Sequence, residues 1–238
     1  MKKVVAIDGP SGAGKSTVSK EIAKALGFQY LDTGALYRAV AYYFSIKFNY
    51  IDDFSLLTEQ EIEEELKNIK IHYKNGRVFL SGEDVSDFIR DPKIGEITSQ
   101  LSTQKVVRDF LMPLQRSFAE KVDIVAEGRD MTTVVFPDAW KKFYLDASPQ
   151  VRAKRRFEQL IQSGKKISFE EALRDVIERD KRDCSRENAP LRLSKDAFYI
   201  DTSELTLQEV ISIVLKKVAE DAWYHVLSKT VCKKILFW

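Results

Sequence analysis

Apolar positions follow two rhythms along the chain. Short apolar runs at residues 4–7, 28–31, 122–126, 142–145 and 198–200 read as buried strands. Between them, residues 15–26, 34–48, 106–120, 151–162, 169–182 and 206–220 predict helices. Gly27 follows the first helix as a C′ residue, where positive φ is free of strain. Strands alternating with helices predict an α/β fold, a parallel five-stranded sheet with helices on both faces.

Residues 49–97 break that rhythm. Thr58 and Glu61 form a capping box before an acidic helix over 59–68. Two strand-like runs, 69–73 and 77–80, flank Asn75-Gly76. That pair suits a type I′ turn, which needs positive φ at both central positions, so the segment predicts a β-hairpin in an inserted lobe. Ser168 with Glu171 and Thr206 with Glu209 mark two more helix starts. The expected division is core at 1–48, insert at 49–97, core at 98–150, a basic helical pair at 151–188, core at 189–222 and a tail at 223–238.

The 238 residues are 44% hydrophobic and 31% charged, enough for a full core, and the formal net charge is +2. That near balance argues against a general nucleic-acid binder, whose affinity rests on excess Lys and Arg. Cys184 and Cys232 stand alone, without metal-ligand spacing to each other or to His72 and His225, which suits a reducing compartment. The apolar run after Lys2 and Lys3 stops at Asp8, too early for a secretory h-region, and no run approaches the ~20 apolar residues of a membrane span. A cytoplasmic, monomeric protein is expected. The tail holds Trp223, Tyr224, Phe237 and Trp238 among lysines, as either a docking segment or a terminal helix on the core.

Candidate chemistry concentrates first at Gly9-Pro10-Ser11-Gly12-Ala13-Gly14-Lys15-Ser16, followed by Thr17. The spacing is G-x-x-x-x-G-K-[ST], a P-loop. Its backbone N–H groups can converge on phosphate oxygens while the next helix offers its positive N-terminal end. Lys15 would reach the β- and γ-phosphates, and the Ser16 hydroxyl would ligate Mg²⁺. Such a loop binds a nucleoside triphosphate but leaves open a kinase, a motor or a switch. No NKxD-type segment is present, which opposes a guanine-nucleotide switch.

Further segments, in order over residues 3–220, resemble the bacterial cytidylate kinases. They are Leu31-Asp32-Thr33-Gly34-Ala35-Leu36-Tyr37-Arg38, Ser81-Gly82-Glu83-Asp84-Val85, Ser99-Gln100, Val107-Arg108, Gly128-Arg129-Asp130-Met131, and Glu178-Arg179-Asp180-Lys181-Arg182-Asp183 with Ser185-Arg186. The resemblance implies a P-loop core, a mobile monophosphate-binding lobe, which would be the hairpin insert, and a lid, which would be the basic helical pair. It implies transfer of the γ-phosphoryl of ATP to CMP or dCMP with Mg²⁺; the alternative is a kinase of the same fold acting on another small acceptor such as UMP.

The resemblance also implies site roles. Thr33, Arg38, Ser99, Arg108, Arg129 and Asp130 would bind the acceptor, with Asp130 accepting from the exocyclic amine of cytosine. Arg179, Asp183 and Arg186 would surround the donor and acceptor phosphates. Spacings of three and four place Arg179, Arg182 and Arg186 on roughly one helix face if the helix continues. Arg155 and Arg156 are candidates for the donor nucleotide or for plain surface. Glu127 stands where the family has Asp, and could orient a Mg²⁺-bound water with one methylene more of reach. Thr132 replaces a family Gly and would be strained if positive φ is required. The acceptor phosphate is already ionised, so no general base is needed and the histidines have no expected role in the chemistry.

Overall fold

Strand β1 (Val4–Asp8) is buried at all five positions because it lies at the centre of a parallel sheet covered on both faces. The computed structural model describes residues 2–49 and 57–220. The sheet also contains β2 (Gln29–Asp32), β6 (Ile124–Glu127), β7 (Lys141–Asp146) and β8 (Phe198–Asp201), in the order β2-β6-β1-β7-β8. Every pairing in it is parallel. Val5, Ile7, Val125, Phe143 and Leu145 face one side with Val18 and Ile22 of α1 (Lys15–Leu26) and Val210 and Val214 of α8 (Leu207–Ala219). Val4, Ala6, Leu31 and Ala126 face the other side with α2 (Thr33–Lys47) and α5 (Lys105–Lys121). Burying each large apolar side chain in these layers contributes roughly 1.5–3 kcal/mol.

The strand ends shift from the sequence pattern for local reasons. Val122 caps α5 with extended backbone, so β6 starts only at Ile124. Asp32 ends β2 and caps α2 by accepting the Ala35 N–H, so that helix starts at Thr33. The carboxyl edge of the sheet therefore gathers Asp8, Asp32 and Glu127, where open α/β sheets bind ligands.

The insert contains the expected hairpin, β3 (Ile71–Lys74) and β4 (Arg77–Leu80), paired antiparallel with Asn75 at φ 52° and Gly76 at φ 77°. A two-residue strand, β5 (Glu83–Asp84), joins its edge and α3 (Glu59–Leu66) precedes it behind the expected capping box. After a 3₁₀ turn (Phe88–Arg90), α4 (Pro92–Leu101) starts with Asp91 as its cap and Pro92 in its first turn, where a missing N–H costs nothing. The insert is hydrogen-bonded to the end of β2: the Asp32 N–H donates to the Tyr73 hydroxyl at 3.1 Å, and Arg90 Nη2 bonds the Asp32 carboxylate at 3.0 Å.

The basic pair is α6 (Pro149–Gln162), capped by Ser148, and α7 (Phe169–Ser185), opened by the Ser168–Glu171 box. His72 is exposed on β3. His225, Cys232 and the 223–238 tail lie outside the described residues.

Candidate active site

The phosphate loop leaves β1 through Gly9, at φ 145°, where a Cβ would lie 1.9 Å from the Leu145 carbonyl oxygen. Only glycine permits that approach. Lys15 begins α1 with its ammonium donating to the Pro10 carbonyl at 2.7 Å. Burial pushes its pKa down, the Arg129 guanidinium adds to that, and Glu127, Asp183 and Asp8 oppose it. An anion held in the loop would favour the charged form.

Asp8, one residue before the loop, is fully buried and accepts the N–H groups of Met131 and Thr132 at 2.9 and 2.7 Å, and the Thr132 hydroxyl at 2.7 Å. Burial lifts its carboxyl to about 6 against the pull of those Thr132 bonds. Thr132 lies in a π-helical turn (Met131–Val135) and has no positive φ, so the condition under which it would be strained is not met. The β-branched side chain instead ties that turn to the root of the loop.

Opposite the loop lies a set of cations. Arg38 donates to the Ile89 carbonyl at 3.2 Å, and burial followed by the neighbouring Arg90 lowers its pKa to about 10. Arg129 at the end of β6 donates through Nε to Asp183 of α7 at 2.8 Å. Burial raises the Asp183 carboxyl, but Arg129, Arg179 and Arg186 outweigh it and leave its pKa below the ordinary value. Arg179 is pressed to about 10 by burial and by Arg129, and its Nε has no hydrogen-bond partner. Such a concentration of half-buried, incompletely paired guanidiniums is costly unless anions neutralise it.

Beside them lies a smaller polar pocket. Arg108 pairs with Asp130 and donates to the Ser102 carbonyl at 3.1 Å, with its guanidinium 5.5 Å from the Tyr37 ring centre. Arg186 Nη2 is 3.9 Å from the other Asp130 oxygen. That Nη2 and the Ser99 hydroxyl are buried without hydrogen-bond partners.

These residues line one cleft of 520 Å³, with Ser11 to Thr17 on one wall and Thr33, Arg38, Ser99, Arg108, Glu127, Arg129, Asp130, Arg179, Asp183 and Arg186 around the rest. The structure thus gathers predicted site residues up to 175 positions apart in the chain, from Ser11 to Arg186. Gly9 and Pro10 stand behind the cleft, one packed on Leu145 and the other holding Lys15. Thr33 lines the cleft, but its hydroxyl donates to the Glu127 carbonyl at 2.6 Å and holds α2 against β6. The arginine trio divides. Arg182 turns away to a bidentate pair with Glu96, at 2.6 and 3.1 Å, while Arg186 caps α7 with extended backbone and points inward. Arg155 and Arg156 both line the cleft, and Arg155 bonds the Thr202 carbonyl at 2.7 Å and the Gly12 carbonyl at 3.4 Å.

Two cleft residues carry no distinguishing sequence signal: Arg90 sits in an unpatterned turn, and Ser102 follows α4 as an ordinary cap. Tyr37 lies within the Leu31-to-Arg38 segment, but no role is read for it from the sequence. Arg152 sits in the same basic run as Arg155 and Arg156, yet it alone is buried, bonding the Ser11 carbonyl at 3.2 Å and the Ala147 carbonyl at 2.8 Å.

The donor set suits a hard cation shared with phosphates. Ser16 and the buried Glu127 supply oxygen at the loop, and no group of three or more His, Cys, Asp or Glu able to hold a metal occurs among the described residues. Burial raises the Glu127 pKa, Asp32 adds to that, and Lys15, Ser16 and Tyr30 pull it down. The Tyr30 hydroxyl donates to Glu127 Oε1 at 2.5 Å.

Among the described residues no helix is long and apolar enough to cross a membrane. A family model described as cytidylate kinase matches residues 5–220. The chain is 46% identical over 216 residues to the cytidylate kinase of Thermosipho melanesiensis, covering 91% of this chain and 96% of that protein. It is 43% identical to the cytidylate kinase of Thermotoga maritima, with the same coverage of both chains. Among solved structures, an uncharacterized protein from Eubacterium ventriosum superposes with a TM-score of 0.50 at 14% identity, covering 92% of this chain and 100% of that one, a likeness of fold alone.

Proposed function

The chain belongs to the cytidylate kinase family, and from that premise we propose that this one cleft holds both substrates, ATP on the loop side and CMP or dCMP on the arginine side. It is an ATP-dependent nucleoside monophosphate kinase that moves the γ-phosphoryl group to the acceptor phosphate. An oxygen of the CMP phosphate forms a bond to the γ-phosphorus, the bond from that phosphorus to the β-bridging oxygen breaks, and CDP and ADP leave. The acceptor oxygen is ionised at neutral pH, so the chain's task is positioning and charge stabilisation.

Lys15 and the loop N–H groups hold the donor phosphates. Arg129, Arg179 and Arg186 stabilise the charge that spreads over the transferring group, with Asp183 orienting Arg129. Arg38 grips the acceptor phosphate. Asp130, held by Arg108, accepts from the cytosine amine, while Ser99 and Arg186 supply the remaining donors. Uracil offers no such amine, and an unpaired buried acceptor costs on the order of 1–3 kcal/mol. Ser16 and, through water, Glu127 would hold Mg²⁺. When bound, the ion would supply charge neutralisation for the phosphates.

Residues 49–97 act in this reading as the monophosphate lobe and 151–188 as the lid. One chain provides both halves of the site, so a monomer suffices. The near-balanced charge supports small-molecule partners only, and the two isolated cysteines support a cytoplasmic setting.

The observation that carries the reading is the convergence of Arg38, Arg129, Arg179 and Arg186 on one cleft across from Lys15. The test is an acceptor panel with ATP and Mg²⁺. CMP and dCMP are expected to turn over far faster than UMP or AMP, and a faster rate with either of the latter would refute the assignment.

A further inference from the structure

Glu127 and Tyr30 are linked by a hydrogen bond for which the chemistry described so far has no use. β2 and β6 run parallel with Tyr30 opposite Val125 and Asp32 opposite Glu127. Residues paired in this way share a sheet face, so Tyr30 and Glu127 lie on the same face, offset diagonally by two positions. Strand spacing and rise put their Cα atoms about 8 Å apart, a gap only two long side chains close. The tyrosine hydroxyl meets Glu127 Oε1 at 2.5 Å. An aspartate at 127 would withdraw the carboxylate by one C–C bond, about 1.5 Å, and break the contact. The partners around the carboxylate are asymmetric. Tyr30 approaches from along the sheet, whereas Ser16 and Lys15 approach from the phosphate loop. Lys20 Nζ of α1 lies over the ring, 5.6 Å from its centre.

We propose that Tyr30 is a positioning residue for Glu127: it occupies one carboxylate oxygen and leaves the other directed at Ser16 and the phosphates. The longer side chain at 127 thereby acquires a defined orientation that its extra torsion would otherwise dissipate. The pair works as a unit, so glutamate at 127 needs a hydrogen-bond donor at 30. Outer partners of this kind set ligand orientation and therefore metal affinity. The proposal rests on the reading of Ser16 and Glu127 as the Mg²⁺ side of the cleft.

The test is calorimetric binding of a non-hydrolysable ATP analogue, once with EDTA and once with excess Mg²⁺. The ratio of the two dissociation constants gives the metal's contribution without any turnover. In Tyr30→Phe, which keeps the ring, that ratio is expected to fall roughly tenfold while the affinity in EDTA stays at the wild-type value. In a Glu127→Asp background, whose carboxylate is too short for the hydroxyl, adding Tyr30→Phe is expected to change nothing. A full Mg²⁺ gain in Tyr30→Phe, or an equal loss with and without Mg²⁺, overturns the proposal and leaves the metal reading intact. A Mg²⁺ gain that survives Glu127→Ala overturns it too, by removing Glu127 from the ion. A wild-type protein with no Mg²⁺ gain removes the metal reading itself, and the proposal with it.

Discussion

Arg152 and Asp180 form a bidentate pair, Nη1 to Oδ1 at 2.9 Å and Nη2 to Oδ2 at 2.6 Å, that joins helix α7 to the phosphate loop through the Ser11 carbonyl. The arginine side chain is only 4% exposed and the aspartate 23%, so removing the carboxylate strands a buried charge. Asp180→Ala is therefore expected to cost about 2–4 kcal/mol of stability, below the full buried-pair figure because Asp180 is partly solvated. Denaturant unfolding measures that loss. The KM for ATP should rise more than the KM for CMP, because the loop and not the acceptor pocket loses its support. Equal rises would contradict this.

The Thr132 hydroxyl gives a prediction with a definite pH sign. Asp8 titrates at about 6 in the folded chain against 3.8 in the unfolded one. A raised acid contributes stability that is present below pH 3.8 and lost as pH rises through about 6. Thr132→Val removes one donor to the ionised form and raises the folded value further. The variant should lose about 1–3 kcal/mol at pH 7, where an acceptor bond to a buried carboxylate is forfeited. The deficit should shrink as pH falls through the variant's raised value and be nearly gone below about 6, where Asp8 holds its proton in both proteins. A deficit constant from pH 5 to pH 8 would contradict the assignment to Asp8.

Arg179 and Arg182 lie three residues apart on one helix and should behave oppositely. Arg179 faces the cleft, and Arg179→Ala is expected to lower kcat by about 10²–10³ with a modest change in KM. Arg182 makes a surface pair with Glu96, and exposed pairs are worth about 0–1 kcal/mol. Arg182→Ala should leave kcat within a few-fold of wild type. Steady-state kinetics on both variants checks this, and comparable losses would contradict it.

The difference between Arg179 and Arg182 marks where sequence reasoning stops. What was legible in the chain was local. The loop from Gly9 to Ser16 is contiguous, so its chemistry is written in its spacing. The boxes at Thr58, Ser168 and Thr206 cap their helices as read, because both partners lie within one turn. Asn75-Gly76 set the hairpin turn for the same reason. What was hidden depends on pairing across distance. The two-residue β5 exists only because β4 offers an edge. Arg152 and Arg155 share a basic run, and only the position of the phosphate loop separates the buried one from the partly exposed one. The Tyr30–Glu127 contact spans 97 positions and leaves no mark in either local sequence.

Asp130 sits at the base-reading end of the account. Asp130→Ala is expected to narrow the preference for CMP over UMP by about 10–100-fold in kcat/KM, the kinetic form of losing a buried acceptor worth about 1–3 kcal/mol. Its Arg108 partner would be stranded, so unfolding should be followed in parallel. An unchanged preference would remove Asp130 from base selection.

The central claim is that donor and acceptor share one cleft, with their phosphates meeting between Lys15 and the arginines. The most direct measurement is the binding of adenosine and cytidine joined 5′ to 5′ through five phosphates. A single two-substrate cleft predicts that this ligand binds far more tightly than ATP or CMP alone, and that Lys15→Ala and Arg129→Ala each weaken it. Binding no tighter than that of ATP, or insensitive to Arg129→Ala, would contradict the account.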